Sequence, residues 1–257
     1  KEERHEYILN LLRHHDSLLV TDLAERLKVS SVTIRKDLTE LEREKKLYRN
    51  HGKAILIDPY IDNRNVSEKE KLATDEKRLI GIQAASMIHP KDSILIASGT
   101  TMHALARAIQ PTDRLTVITS SLQVATILSA HQLIDIIQLG GMMRHSSLSV
   151  VGQYAEQELT DFACSKLFLG VDGIDLDFGI TTTNMMEANL NRVMMQTAQK
   201  TIVLADSSKF GRRGFSKISR LEDIDVIITD SNIAPSAAKR VEELGIDLVV
   251  VDVKAQR

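Results

Sequence analysis

The stretch from Val20 to Leu56 constrains the fold more tightly than any other part of this 257-residue sequence. Apolar residues recur at spacings of three and four in Val20–Leu27 and again after Ser30, which is typical of amphipathic helices. The residues between them, Lys28–Ser30, form a turn, and Ser30 is placed to cap the second helix. The pattern predicts a helix-turn-helix followed by a pair of strands.

The outer face of the second helix carries residues suited to reading DNA. Ile34, Leu38 and Leu41 repeat at four and three and point inward together, so the opposite face meets solvent and is basic near its start. A helix of this kind can place its first turns in a DNA major groove. The alternative is a three-helix domain whose outer face is simply solvated. The predicted DNA contacts on this helix are Ser30, Ser31, Val32, Thr33, Arg35, Lys36, Thr39 and Arg43.

The segment after Leu47 predicts the wing of a winged helix-turn-helix. Basic and polar residues surround Gly52 between two short runs that are suited to strands. We expect Arg49, His51 and Lys53 to contact phosphates, which position a protein on DNA without specifying its sequence.

Several residues of this stretch form a known pattern: Val29-Ser30, Thr33-Ile34-Arg35-Lys36-Asp37-Leu38, Leu47, Arg49 and His51-Gly52. The pattern closely resembles the helix-turn-helix signature of the DeoR family of bacterial transcription regulators. Two positions depart from it, since Lys45 and Lys53 stand where that family commonly has glycine. Both departures add positive charge at the wing.

Composition limits the other possibilities. Hydrophobic residues make up 43% and charged residues 26% of the chain, as in ordinary globular proteins. Because no apolar run approaches the ~20 residues of a membrane span, we expect no membrane partner. Cys164 is the single cysteine, which excludes an internal disulfide and fits a cytoplasmic location. The histidines lack metal-ligand spacing, so we expect neither a metal nor a cofactor.

The charge is divided unevenly along the chain. Residues 1–57 hold 12 Lys+Arg and 10 Asp+Glu, a net of +2, whereas the remainder holds 21 and 25, a net of −4. Residues 58–66 are polar, contain Pro59 and show no periodicity, so they predict a linker between a DNA-binding domain at 1–57 and a second domain at 67–257. Ser67–Glu70 fits a capping box from which a helix could run toward Ile88.

From Ser93 onward, short apolar runs alternate with helical patterns. This alternation predicts an α/β domain with a mostly parallel sheet covered by helices. The predicted strands are Ile94–Ala97, Leu115–Thr119, Ile134–Leu139, Lys166–Val171, Thr201–Ala205, Val226–Thr229 and Asp247–Val251. The predicted helices are Met102–Ile109, Leu122–Ser129, Met185–Ala198 and Ser236–Leu244.

Small polar and charged residues follow several of these strands. Ligands bind at the carboxyl ends of such strands, where glycines, hydroxyls and free helix-start amides can hold a phosphate. The carboxylates and the lysine would suit a phosphorylated polyol or sugar. Alternatively, each group is only a cap or a turn. The predicted ligand-binding residues are Ser98, Gly99, Thr100, Thr101, Thr119, Ser120, Ser121, Gly140, Gly141, Arg144, Asp172, Gly173, Glu187, Lys209 and Phe210.

The second domain has a family pattern of its own, in Ser98–Thr101, Val117–Ser121, Leu139–Gly141, Val151-Gly152, Gly170–Gly173, Thr182-Thr183, Glu187-Ala188 and Asp206–Gly211. It resembles the C-terminal sensor domain of the DeoR family. The resemblance implies a sensor fold related to ribose-5-phosphate isomerase and glucosamine-6-phosphate deaminase, a phosphorylated sugar as effector, and a homo-oligomer. Ala97 replaces an acidic residue of that family, and Asn191 replaces a common lysine. Both departures could narrow or move the specificity for the effector.

Two other classes of protein compete with this interpretation. One is a sugar-phosphate isomerase or deaminase with Glu187 or Asp172 as general base and Lys209 as electrostatic helper. The other is a DNA-binding protein whose second domain only oligomerises. We predict a transcription regulator, in particular a repressor of carbohydrate catabolism genes. Its expected partners are double-stranded operator DNA, a phosphorylated sugar and further copies of itself, as a dimer or tetramer.

Overall fold

A computed structural model describes residues 1–15, 18–44, 46–50, 52–56 and 65–253 of the chain. The N-terminal domain is a winged helix-turn-helix, as the sequence predicts. Strand β1 (Leu18–Leu19) pairs with β3 (Lys53–Leu56), and β3 pairs with β2 (Leu47–Asn50), both antiparallel. Its elements in chain order are α1 Glu2–His14, β1 Leu18–Leu19, α2 Val20–Leu27, α3 Ser31–Arg43, β2 Leu47–Asn50 and β3 Lys53–Leu56.

The turn between α2 and α3 has the predicted geometry. Lys28 adopts the left-handed conformation, with φ of 52°, and ends α2. The hydroxyl of Ser30 accepts a hydrogen bond from the Thr33 amide at 3.1 Å and caps α3. Leu23, Ile34 and other apolar residues from all three helices are buried together beneath this turn. Burial of this shared core fixes the angle at which α3 is presented.

An ion cluster also holds α3 against α1. Asp37 is 3% exposed and accepts hydrogen bonds from Arg4 Nε at 2.6 Å and from Arg4 Nη2 at 3.0 Å. Nε2 of His5 lies 3.1 Å from the same carboxylate. Burial alone would raise the pKa of Asp37, but the hydrogen bonds from Arg4 and His5 hold that pKa below its ordinary value. Asp37 stands three residues after Ile34 and four before Leu41, so it shares their inner face although it is charged.

The second domain is an α/β domain, as predicted, and the predicted strands and helices lie within three residues of the observed bounds at each end. Its elements are α4 Val66–Lys69, α5 Thr74–Ala85, β4 Ser93–Ile96, α6 Thr100–Ala108, β5 Leu115–Thr119, α7 Leu122–Leu128, β6 Ile134–Gln138, β7 Met142–Arg144, β8 Ser149–Val151, α8 Gln153–Glu158, β9 Cys164–Gly170, β10 Gly173–Asp175, β11 Gly179–Thr182, α9 Met185–Thr197, β12 Ala198–Leu204, β13 Ser216–Ser219, β14 Val226–Asp230, α10 Pro235–Glu243 and β15 Asp247–Val251.

A parallel sheet forms the middle layer of this domain, with strand order β15-β14-β12-β9-β4-β5-β6. Alternate residues of each strand face opposite sides, so Ile94 and Ile96 belong to one core and Leu95 to the other. Helices α5, α6 and α7 cover the first side, and α8, α9 and α10 cover the second. Helices α5 and α6 touch so closely that a Cβ at Gly81 would lie 2.6 Å from the carbonyl carbon of Ala104.

The start of this domain differs from the prediction. The expected helix from Ser67 toward Ile88 is interrupted, because Ala73 takes the left-handed conformation between α4 and α5. The capping box at Ser67–Glu70 is wrong, since Asn65 occupies the N-cap position and makes no side-chain cap. Two further features were not predicted from the sequence: the antiparallel pair β7-β8 and the antiparallel sheet β10-β11-β13. Most of the predicted linker lies outside the described residues, so the domain boundary stays a prediction.

Candidate functional site

The outer face of α3 is open to solvent along its length. Val32 is 60% exposed, and Arg35, Lys36, Thr39 and Arg43 are exposed as well. The remaining residues predicted for this helix, Ser30, Ser31 and Thr33, form its exposed to half-buried N-terminal turn. A basic face with an apolar group near its start can approach phosphates and also the methyl group of thymine in a major groove.

The basic residues of the wing differ in how accessible they are to a phosphate. Arg49 donates hydrogen bonds to Glu42 Oε2 from Nε at 2.9 Å and from Nη2 at 2.6 Å, so its guanidinium is paired with α3. Lys53 is exposed, whereas His51 lies outside the described residues. Of the predicted phosphate contacts described here, Lys53 is therefore the more accessible, and Arg49 has to leave Glu42 before it can bind a phosphate.

A cleft opens where β4, β9 and β12 end. These strands are neighbours in the sheet, so the segments that follow them meet at one edge. The lining combines hydroxyls, glycines, cations and carboxylates from distant parts of the chain. It consists of Val66, Lys69, Ser98, Gly99, Thr100, Thr101, Arg144, Ser146, Ser147, Gly170, Val171, Asp172, Thr182, Glu187, Asn191 and Lys209.

One wall of the cleft is the N-terminus of α6. Gly99 has a φ of +121°, which an L side chain rarely adopts, and the next two residues begin the helix. Thr100 and Thr101 are buried, so the helix start is close to the protein interior. The first amides of a helix and its dipole together favour an anion at this place.

Asp172 also lines the cleft, just after the end of β9, and accepts hydrogen bonds from several donors. Lys69 Nζ donates to Asp172 Oδ1 at 2.6 Å, and the hydroxyl of Thr182 donates to Oδ2 at 3.0 Å. Burial would raise the pKa of Asp172, but the charges of Lys69 and Lys209 and the hydrogen bonds hold that pKa below its ordinary value. The carboxylate is therefore charged at neutral pH.

Glu187 forms a second ion pair in the cleft. Its Oε1 lies 2.5 Å from Nη1 of Arg144, and its Oε2 lies 3.2 Å from the Thr182 hydroxyl oxygen, whose single proton Glu187 shares with Asp172. Asn191 lies one turn further along α9 and is also buried against the cleft. The ionisable lining residues are thus three cations (Lys69, Arg144, Lys209) and two carboxylates (Asp172, Glu187), which leaves a net charge of +1.

Eight of the predicted ligand-binding residues line this cleft: Ser98, Gly99, Thr100, Thr101, Arg144, Asp172, Glu187 and Lys209. The structure places the other seven elsewhere. Strands β5 and β6 lie toward the edge of the sheet, beyond β4, and the residues directly after them, 119–121 and 140–141, do not line the cleft. The hairpin that follows β6 does reach the cleft, through Arg144, Ser146 and Ser147. Sequence patterns do not reveal this order of strands.

The segments after β5 and β6 have structural contacts instead. The Thr119 hydroxyl donates to the Ile96 carbonyl at 2.7 Å, and the Ser121 hydroxyl caps α7. The Ser120 carbonyl accepts a hydrogen bond from the Val150 amide at 2.9 Å. The Gly140 amide donates to Glu158 at 2.9 Å, and a Cβ at Gly141 would lie 2.8 Å from the Val151 carbonyl oxygen. Gly173 begins β10, and Phe210 is buried in the core.

Several lining residues were absent from the predicted set, notably Lys69, Ser146, Ser147, Thr182 and Asn191. Thr182 belongs to the family pattern and Asn191 departs from it, so both carried a signal that could have placed them here. Ser146 and Ser147 follow Arg144 in the turn of the β7-β8 hairpin. Lys69 had no sequence signal, because it reaches Asp172 across 103 positions of the chain.

Two further findings concern the described residues as a whole. No group of three or more His, Cys, Asp or Glu side chains in this part of the chain is arranged to hold a metal ion. None of the helices described is both long and apolar enough to cross a membrane.

The chain matches family models along most of its length. A DeoR-like helix-turn-helix domain matches residues 4–60, and a DeoR C terminal sensor domain matches residues 72–231. The chain is 36% identical to a protein named as an uncharacterized HTH-type transcriptional regulator YulB from Bacillus subtilis, over 97% of this chain and 96% of the relative. It is 36% identical to a putative aga operon transcriptional repressor from Escherichia coli O157:H7, over 97% and 93% of the two chains.

A third relative, the lactose phosphotransferase system repressor of Streptococcus mutans, is 35% identical over 90% of this chain and 92% of its own. Among solved structures, ribose 5-phosphate isomerase A from Neisseria gonorrhoeae aligns with a TM-score of 0.38 at 14% identity, over 52% of each chain. The sequence relatives, by contrast, share both domains of this chain.

Proposed function

Because the chain belongs to the DeoR family of transcriptional regulators, and is a DNA-binding regulator rather than an enzyme, we propose that it represses genes of sugar utilisation. In this proposal a phosphorylated sugar controls the affinity of the protein for DNA. Two relatives support the first part, since they are named as repressors of the aga operon and of a lactose phosphotransferase system. We place the chain in the cytoplasm, where both operator and sugar phosphate are found.

The cleft above β4, β9 and β12 is the observation that carries the effector proposal. The start of α6 provides amides for a phosphate, and Lys209 and Lys69 add positive charge on the same cleft. Asp172, Glu187 and Asn191 supply acceptors of the kind that bind sugar hydroxyls. A ligand with a phosphate at one end and hydroxyls at the other satisfies both sets of groups.

On the DNA side, α3 enters the major groove and the wing meets the backbone. Lys36 and Arg35 are exposed near the start of α3, where base edges are within reach. The N-terminal domain has a net charge of only +2, so a single copy gains little from phosphates alone. Two domains in a homo-oligomer, bound to two half-sites, supply the missing affinity.

A thermal-shift panel tests the effector proposal. Pentose 5-phosphates, hexose 6-phosphates and amino-sugar 6-phosphates are each compared with the corresponding unphosphorylated sugar. At ~100 times its dissociation constant, a ligand adds roughly 2.7 kcal/mol to the free energy of unfolding. We expect at least one phosphorylated sugar to raise the melting temperature and its unphosphorylated partner to leave it unchanged. If none of the phosphorylated compounds acts, the effector proposal is wrong.

Fluorescence anisotropy tests the DNA interface. Duplexes that the wild-type protein selects from a random pool serve as the probe. Lys36→Ala should weaken specific binding by about 1–3 kcal/mol if the ammonium contacts a base edge. Arg26→Ala, which removes an exposed cation from α2, is the matched control and should change binding little. The sugar-phosphate thermal shift should survive in both variants. Loss of both activities in Lys36→Ala would contradict the division into two modules.

A further inference from the structure

The cleft is partly built by a segment that comes after the DNA-binding domain in the chain, from the end of the predicted linker onward. Residues 65–73, which we name the strap, include α4 and lead into α5. The Val66 amide donates to the Ser146 carbonyl at 2.8 Å, and the Val66 side chain lines the cleft. Lys69 lines it as well and donates to Asp172 at 2.6 Å. A change inside the cleft is therefore a change in the contacts of the strap.

The strap is also held from α5 and α6. Lys77, which is 6% exposed, donates from Nζ to the carbonyls of Lys69 and Leu72, both at 2.6 Å. Glu70 accepts a hydrogen bond from Arg107 of α6 at 3.0 Å. The first turn of the strap, in contrast, is attached to the cleft itself. Its attachment depends on the Lys69–Asp172 ion pair, which an anionic ligand can disturb.

We propose that Lys69 is a ligand-binding and transmitting residue: an anion at the start of α6 draws its ammonium away from Asp172 and thereby moves the strap. The proposal rests on the proposed function, since it needs an anion in the cleft. The Lys69 side chain is only 22% exposed, so a second anion in the same cleft competes strongly with Asp172. Asp172 is then left to its remaining donors, the Thr182 hydroxyl and the amide and hydroxyl of Thr183, and to the hydroxyls of the ligand.

The strap follows the DNA-binding domain in the chain. A movement of the strap is therefore the most direct way in which a ligand in the cleft can affect the DNA-binding domain. A ligand shifts an equilibrium only through contacts that differ between the two states. The two partners of Lys69, Asp172 in the empty cleft and the anion in the occupied cleft, provide such a difference. The alternative is that Lys69 and Asp172 form a permanent structural ion pair, which holds α4 in place whether or not the cleft is occupied.

Hydrogen exchange on the full chain separates these possibilities. The probe is inorganic phosphate, compared with chloride at equal ionic strength, and the variants are Lys69→Met, Lys69→Arg and Lys71→Met. Lys71→Met is the matched control, because Lys71 is an exposed lysine of the same strap. Without phosphate, Lys69→Met should speed exchange at residues 65–73 about ten- to a hundredfold, the factor expected for a charge-assisted hydrogen bond.

With phosphate, the wild-type protein should exchange more slowly at residues 98–103 and at a changed rate at residues 65–73. Lys69→Met should lose the response at 65–73, whereas Lys69→Arg and Lys71→Met should keep it. A permanent ion pair would respond differently: phosphate would slow exchange at 98–103 and leave 65–73 unchanged in the wild type, which would overturn the role of Lys69 alone. No change at 98–103 in any variant would overturn the anion site, and with it the proposed function.

Discussion

We expect the ion cluster around Asp37 to stabilise the DNA-binding domain. Asp37→Ala removes a carboxylate that is 3% exposed and leaves Arg4 and His5 without the partner that they share. Removing one member of a buried ion pair costs about 3–5 kcal/mol, because the other charge stays desolvated. Arg4 is 28% exposed and can turn partly toward solvent, so we expect about 2–3 kcal/mol in this case.

This loss is large for a domain of this size. One kcal/mol shifts the melting temperature of a 60–100-residue domain by roughly 4–8 °C, so the transition of the N-terminal domain should fall by about 10–20 °C. Asp37→Asn keeps the shape of the side chain and should cost less. Asp37 is held in the charged form by Arg4 and His5 with its pKa lowered, so its contribution is present above the ordinary carboxyl pKa and is lost as the pH falls through the lowered value.

Scanning calorimetry of the full chain, with hydrogen exchange to assign the transitions, measures this effect. Glu44→Ala is the matched control, because it removes an exposed ion pair with Lys46 at the end of the same helix, and exposed pairs contribute little to stability. The transition of the second domain should stay in place in both variants. If Asp37→Ala lowers the first transition no further than Glu44→Ala does, the cluster does not stabilise the domain and the reasoning fails.

Three further predictions follow from single contacts. Glu42→Gln should free the Arg49 guanidinium and strengthen non-specific duplex binding, and a plot of log affinity against log salt should steepen by about one unit. Gly81→Ala should lower the melting temperature of the second domain, since overpacking against Ala104 costs about 1–3 kcal/mol, whereas alanine in an open helix would stabilise it. Burial lowers the pKa of Lys77 to about 8 from 10.5, so NMR of labelled lysines, assigned with Lys77→Met, should show a midpoint near 8. Because the unfolded chain holds that proton more tightly, the Lys77 contribution to stability should rise with pH from about 8 toward 10.5.

Hydrophobic periodicity predicted the helices of the DNA-binding domain well, because each of them buries one apolar face. Ile34, Leu38 and Leu41 are all fully buried, as their spacing requires. Asp37 shares that inner face although it is charged, and its burial depends on Arg4 and His5 of α1, which the pattern of α3 alone does not show. The short strand Leu18–Leu19 was missed for a related reason, since its pairing with β3 comes from a distant part of the chain.

The cleft shows a different limit of sequence reasoning. Each strand end looked equally suitable, because glycines and hydroxyls after a strand serve as caps and as ligands alike. The order of strands decides between these roles: the ends of β4, β9 and β12 adjoin, while those of β5 and β6 lie to one side. Lys69 enters the cleft because the chain turns at Ala73 between α4 and α5, and a left-handed alanine has no sequence signal.

The pairing of charges in the cleft also bears on which ligands it can select. Each carboxylate is already matched by a cation, Asp172 by Lys69 and Glu187 by Arg144. A neutral sugar would have to separate these pairs while offering no charge in return, which is costly at partly desolvated positions. An anion without hydroxyls would engage the cations and leave the carboxylates with fewer donors. Under the proposed function, a molecule that carries both groups is the one that satisfies every charge at once, so selectivity for sugar phosphates follows from the ion pairs.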